Sequence, residues 1–187
     1  ATPAWPDFIA SFTDGAFTSS DGGALLIHGR TATCNVDVTN THPMLIGNTA
    51  LVHNGVVTSD HYHNTETTCD SELLLHAWRD KQTDSLAQHI SGYYAFGVIT
   101  AAKRAVHMDV VKDARASLLV GELPKQGFVF ATTRELALAC GATSAAPMRD
   151  NTAVRFTNGK HISTRSFEPR KQVLSTATEL SARMAFG

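Results

Sequence analysis

The chain has 187 residues, 43% of them hydrophobic and 18% charged, with a net charge of −1. That is the composition of one folded domain with a real core, not of a disordered segment. The charge balance excludes an electrostatic footprint for nucleic acid or an anionic membrane, and no apolar run approaches the roughly 20 residues that span a bilayer.

Residues 1–23 are mixed, with Pro3 and Pro6 interrupting one short helical turn at Asp7–Phe12 and turns at Asp14-Gly15 and Asp21-Gly22-Gly23. ALLIHGRT (24–31) reads as a buried strand, Asn35–Gly47 as a loop, and TALVHNGVV (49–57) as a second strand. CDSELLLHAWRDK (69–81) carries apolar residues at 73, 74, 77 and 78, one helical stripe with Asp70 placed to cap it, and a shorter helix follows at 85–90. Then come strands at 93–100, 104–112, 117–123 and 127–133, whose short connections favour antiparallel pairing. A small helix at Thr133–Ala139 precedes a hairpin, 152–157 and 160–165, whose Asn158-Gly159 suits a type I′ turn. Thr176 and Glu179 form a capping box for a last helix at 177–185. No repeat or domain boundary is visible, so the expectation is a single α+β layered domain over 1–187.

Three widely spaced cysteines, Cys34, Cys69 and Cys140, make a disulfide framework improbable chemistry, and with no basic leader or apolar h-region at the start the expected location is cytoplasmic. His53, His61, His63 and Cys69 match no closed zinc spacing, and no metal or cofactor is expected.

Four pieces in residues 28–72 carry the chemistry: HGRTAT, NTHP, LVHNGVV and CDSELL. Singly, Arg30 fits a surface cation, Asn54-Gly55 a turn and Asp70 a helix cap. In this order and spacing they resemble the glutaminase domain of class II glutamine amidotransferases, which are N-terminal-nucleophile hydrolases. Members carry H-x-R-x-A-T, N-A-H-P, H-N-G and T-D-x-E runs in the same order. SGYYAFGVI, VVKDARASLLVG and GFVFATTRELAL are similar to later family strands.

The resemblance implies αββα layers with two mainly antiparallel sheets, and a reaction that releases ammonia from glutamine through a cysteinyl thioester. It implies that Arg30 forks onto the α-carboxylate, Asp70 pairs with the ammonium, and Asn54 with the Gly55 N–H holds the oxyanion. Thr33 would line the same pocket and His42 would brace the loop between the first two strands. Residue chemistry agrees: each is the right donor or charge for its part of glutamine. The family's nucleophile is an N-terminal Cys with its own α-amine as base, whereas residue 1 is Ala and 27 residues precede His28. The expectation is that the cysteine-bearing strand lies outside residues 1–187, with a synthase subunit or further segment as partner. Thr31 replaces the family's Trp and Cys34-Asn35 its His-Gly, both in the loop that closes over glutamine. Neither Cys34 nor Cys69 is marked as a relocated nucleophile. The alternative is a catalytically inactive amidotransferase-like domain serving as a structural or binding module.

Overall fold

The computed structural model describes residues 23–28, 40–59, 69–124, 127–168 and 170. The expected turn at 7–12, the Asp14-Gly15 turn and the helix at 177–185 lie outside them.

Among the described residues, nine strands form two antiparallel sheets and two helices pack on them. The larger contains β1 (Met44–Ile46), β2 (Thr49–Ser59), β3 (Ile90–Ala102), β4 (Ala105–Lys112), β8 (Thr152–Thr157) and β9 (Lys160–Ser166), in the order β1-β2-β3-β4-β8-β9. The smaller contains β5 (Leu119–Leu123), β6 (Gly127–Ala131) and β7 (Ala146–Pro147), in the order β6-β5-β7. Helix α1 (Asp70–His89) packs on β2 and β3, and the short α2 (Arg134–Ala139) packs on β5 and β6. The layers run helix, sheet, sheet, helix, the αββα arrangement expected.

The sheets meet through Ala95, Val110, Leu118 and Met148, all buried. Phe156 of β8 lies 5.3 and 5.7 Å from the rings of Phe128 and Phe130 of β6. On the opposite face of the larger sheet, α1 buries Leu74, Leu75, Ala77 and Trp78 against Leu51, Val57, Tyr94, Phe96 and Val98. Trp78 meets Phe96 edge-on at 5.6 Å. Fully burying each of the larger side chains contributes about 1.5–3 kcal/mol, so this contact fixes α1 across the middle of β2 and β3.

Several expectations are corrected here. The stripe of α1 buries Leu75 at 0% exposure while Leu73 is only half-buried. No second helix begins at 85: Asp80 to Asp84 contains no Gly or Pro to stop the first, and α1 runs unbroken to His89. Residues 23–28 form no strand, although Leu26 lies 3.2 Å from where a Gly97 Cβ would stand, so this segment covers the inter-sheet face without a ladder of its own. The 35–47 loop hides β1, which pairs with β2 from Met44↔Leu51 to Ile46↔Thr49. The 152–166 hairpin is as expected, with Asn158 and Gly159 at φ 48° and 74°, the left-handed pair that a type I′ turn requires.

The β2–β3 ladder contains two glycines that no other residue can replace. Gly55 has φ 145° and Gly92 has φ 123°. A Cβ would stand 2.1 Å from the Tyr93 carbonyl oxygen at Gly55 and 2.0 Å from the Val56 carbonyl oxygen at Gly92. Gly92→Ala should therefore destabilise the domain by at least roughly 2 kcal/mol, backbone strain and clash together. Urea unfolding checks this; an unchanged midpoint would mean that the two strands do not approach this closely.

Candidate functional site

The sequence puts His53, Asn54 and Gly55 on consecutive positions of β2, so period-two alternation sends the first two to opposite faces. His53 joins Thr49, Leu51 and Val57 among the buried residues of β2, which Leu51 and Val57 share with α1. Asn54 pairs with Ala95 of β3, and Ala95 with Lys112 of β4, so Asn54 lies on the face turned toward the second sheet. Its side chain is exposed there. Asn54 and Gly55 sit in the interior of an 11-residue strand that extends the one read at 49–57, and the irregular backbone at Gly55 interrupts its regularity.

Asp70 begins α1, but it does not cap it. The N-cap is Cys69, which makes no side-chain capping bond. The Asp70 carboxylate reaches instead into β2, where its Oδ2 accepts a 2.8 Å hydrogen bond from the Val57 N–H. The next residue, Ser71, is buried, and its Oγ shares a 2.9 Å hydrogen bond with Nδ1 of His53. Glu72, buried at 5% exposure, lies 3.5 Å from Nε2 of His76 one turn on. The D-S-E run therefore applies its first two side chains to the strand that carries Asn54 and Gly55.

A third segment joins them. His28 donates from Nε2 to the His53 carbonyl at 3.0 Å. Its ring lies 4.5 Å from that of His42, which is buried and followed by a cis bond to Pro43. Arg30, two residues beyond His28, and Thr33 lie outside the described residues, as do Cys34, His61 and His63. Of the six residues singled out in the sequence, Asn54 and Gly55 lie on β2, Asp70 bonds to that strand at Val57, and the His42 ring lies near His28, which bonds to the His53 carbonyl.

The electrostatics centre on His53. Burial, with a smaller push from His28, lowers its pKa to about 4 against the opposing pull of Asp70. The ring is neutral at physiological pH, which suits a group that shares one hydrogen bond inside the protein. Its Nε2 is buried without a hydrogen-bond partner among the described residues. His53 and Ser71 are the residues that sequence reasoning missed as a pair: Ser71 is the middle residue of the D-S-E run, and its partner lies 18 residues away on another element.

Elsewhere, an open cavity of about 390 Å³ is lined by Trp78, Arg79, His107, Asp109 and Arg155 among others. It lies on the α1 side of the larger sheet, where Arg155 forks onto the buried Asp109 at 2.6 and 3.0 Å. It is remote in the ladder from Asn54. Among the described residues no helix is long and apolar enough to cross a membrane.

Comparison with known proteins gives the same fold from outside. Residues 28–139 match the family model described as "Glutamine amidotransferase domain". The fold is similar to glutamine phosphoribosylpyrophosphate amidotransferase from B. subtilis, solved with ADP and GMP: TM-score 0.57, 20% identity, 74% of this chain and 34% of that one. It is also similar to a structure described as the allosteric regulatory enzyme of purine biosynthesis: TM-score 0.53, 20% identity, 68% of this chain and 31% of that one. The chain spans about a third of the length of these structures, and at this identity the likeness is one of fold. No curated protein sequence matches it.

Two measurements follow from the geometry. Asp70→Ala leaves the Val57 N–H without its acceptor and should cost roughly 1–3 kcal/mol, whereas Asp70→Asn keeps an oxygen there and should cost under about 1 kcal/mol. Equal melting temperatures for the two variants would contradict the bond. For His53, the unfolded ring takes up a proton near pH 6.5 but the native ring only near pH 4. Its share of stability is therefore present above pH 6.5 and is lost as pH falls from 6.5 toward 4, by up to roughly 3 kcal/mol. Denaturant titrations of wild type and His53→Asn across that window should converge as pH falls; parallel curves would contradict a buried neutral ring.

Proposed function

The chain belongs to the glutamine amidotransferase domain family, and from that membership we propose that it binds glutamine and forms the substrate-holding and oxyanion-stabilising part of a glutaminase site. One observation carries this reading: the Asp70 carboxylate of the D-x-E run is bonded to the Val57 N–H of β2, two residues beyond Gly55 on the strand that carries the H-N-G run.

The roles follow from chemistry. A glutamine side-chain amide becomes reactive when its carbonyl oxygen is held by donors that strengthen as negative charge develops. Asn54 offers a neutral side-chain N–H on a rigid strand, and Gly55 a backbone N–H at a position no side chain can crowd. Asp70 presents a carboxylate for the α-ammonium with one oxygen already fixed by Val57. Arg30 supplies the fork for the α-carboxylate, and Thr33 and His42 belong to the wall of the same pocket. The thiol of a cysteine attacks the amide carbon, the tetrahedral adduct expels ammonia, and water hydrolyses the thioester to glutamate. The proposal assigns that cysteine, with its α-amine as base, to a segment outside residues 1–187. A free α-amine titrates near pH 7.7–8.0, about where a general base works best. The ammonia passes to an acceptor held by a synthase domain or subunit, in the cytoplasm. No metal or cofactor enters these steps.

The second reading is a domain that has kept this scaffold without turnover. It is favoured by Thr31 and Cys34-Asn35, which stand where the family has Trp and His-Gly in the loop that closes over glutamine.

Glutamate release by the complete protein separates the two. The enzyme reading expects turnover, with Asn54→Ala lowering kcat by roughly two to three orders of magnitude and leaving the melting temperature unchanged. It also expects Asp70→Asn to abolish measurable glutamine binding in calorimetry while the fold survives. Glutamine binding without turnover supports the scaffold reading. Full activity in Asn54→Ala removes Asn54 from the oxyanion site.

A further inference from the structure

His53 has no role in the steps above, yet three site segments converge on it. Its ring is tied to Ser71, the neighbour of Asp70, at 2.9 Å. Its own carbonyl accepts from His28, which opens the H-x-R run that holds Arg30, at 3.0 Å. Its chain continues directly into Asn54 and Gly55. The ring also stands against the glycine: its Nε2 lies 2.9 Å from where a Gly55 Cβ would be. A side chain at 55 would push the ring off Ser71, so the glycine and the histidine need each other.

These ties are short, and both end on β2. Helix α1 rests on the strand through Leu74, Leu75 and Trp78, but those contacts are apolar and do not set the position of its first turn along β2. The polar bonds do: Asp70 to Val57 on one side of Gly55, Ser71 to His53 on the other. Together they bracket Gly55 by two residues in each direction.

We propose that His53 is the positioning residue of the glutamine site, holding the oxyanion donors Asn54 and Gly55, the ammonium partner Asp70 and His28 in one register through Ser71 and its own carbonyl. This rests on the glutaminase reading for its consequence, but the geometry it asserts can be tested apart from activity. An error of about 1 Å in such a constellation is enough to cost two orders of magnitude in rate.

The experiment uses Ser71→Ala, which removes the partner and leaves the ring in place, with His53→Asn and Ser71→Thr beside it. In the complete protein, Ser71→Ala should lower kcat/KM at least about tenfold. Ser71→Thr, which keeps the hydroxyl, should restore most of it, and adding Ser71→Ala to His53→Asn should bring no further loss. Melting temperatures run alongside: a rate loss that tracks stability across the set, with no rescue by Thr, would overturn the positioning role. The second readout is glutamine-independent. In ¹⁵N-resolved NMR spectra, Ser71→Ala should move the Asn54 side-chain and Gly55 backbone amide resonances together with the His53 ring nitrogens. Unmoved Asn54 and Gly55 resonances overturn the proposal whether or not glutamine is turned over. Absence of turnover in the wild type, with those resonances moved, sinks the glutaminase reading and leaves the positioning geometry standing.

Discussion

Everything proposed for this molecule depends on one joint, the seam where the first turn of α1 meets the interior of β2. There the Asp70 carboxylate takes the Val57 N–H and Ser71 shares a hydrogen bond with His53. A backbone N–H left unpaired inside a fold costs as much as a lost hydrogen bond, so a carboxylate that meets it is held firmly. The irregular backbone at Gly55 and Gly92, close to the same seam, is what makes the joint possible: two strands approach each other there more closely than any side chain permits. Fold and site thus share one constraint.

The layers were legible where the physics is local. Strand alternation, short connections and the Asn158-Gly159 turn fixed an antiparallel α+β domain, and the buried stripe of α1 was visible but shifted from Leu73 to Leu75. Tertiary packing decides such a shift, because residues three and four apart compete for one face. β1 and β7 were invisible because three and two residues carry no periodicity. Residues 24–28 are apolar enough for a strand, but Leu26 is spent covering Gly97 and no ladder forms among the described residues.

The site was legible as residue types and order, less so as geometry. Asp70 looked like a cap because Asp at a helix start usually is one. Its carboxylate is instead spent on a strand 13 residues earlier, a choice that only the fold makes available. Asn54 and Gly55 read as part of one strand at 49–57, and β2 absorbs the glycine as a close backbone approach and continues to Ser59. His53 read only as a histidine that matches no closed zinc spacing. Buried and neutral, it ties β2 to α1 and to His28.

In the proposed site, Asp70 and the Asn54–Gly55 pair hold one glutamine molecule between them. The most direct test is a crystal structure of the complete protein with glutamine bound. The expected result is the α-ammonium at hydrogen-bonding distance from the Asp70 carboxylate and the side-chain carbonyl oxygen aimed at the Asn54 amide and the Gly55 N–H. Glutamine seated elsewhere, or seated with its side-chain amide turned away from Asn54, would contradict it.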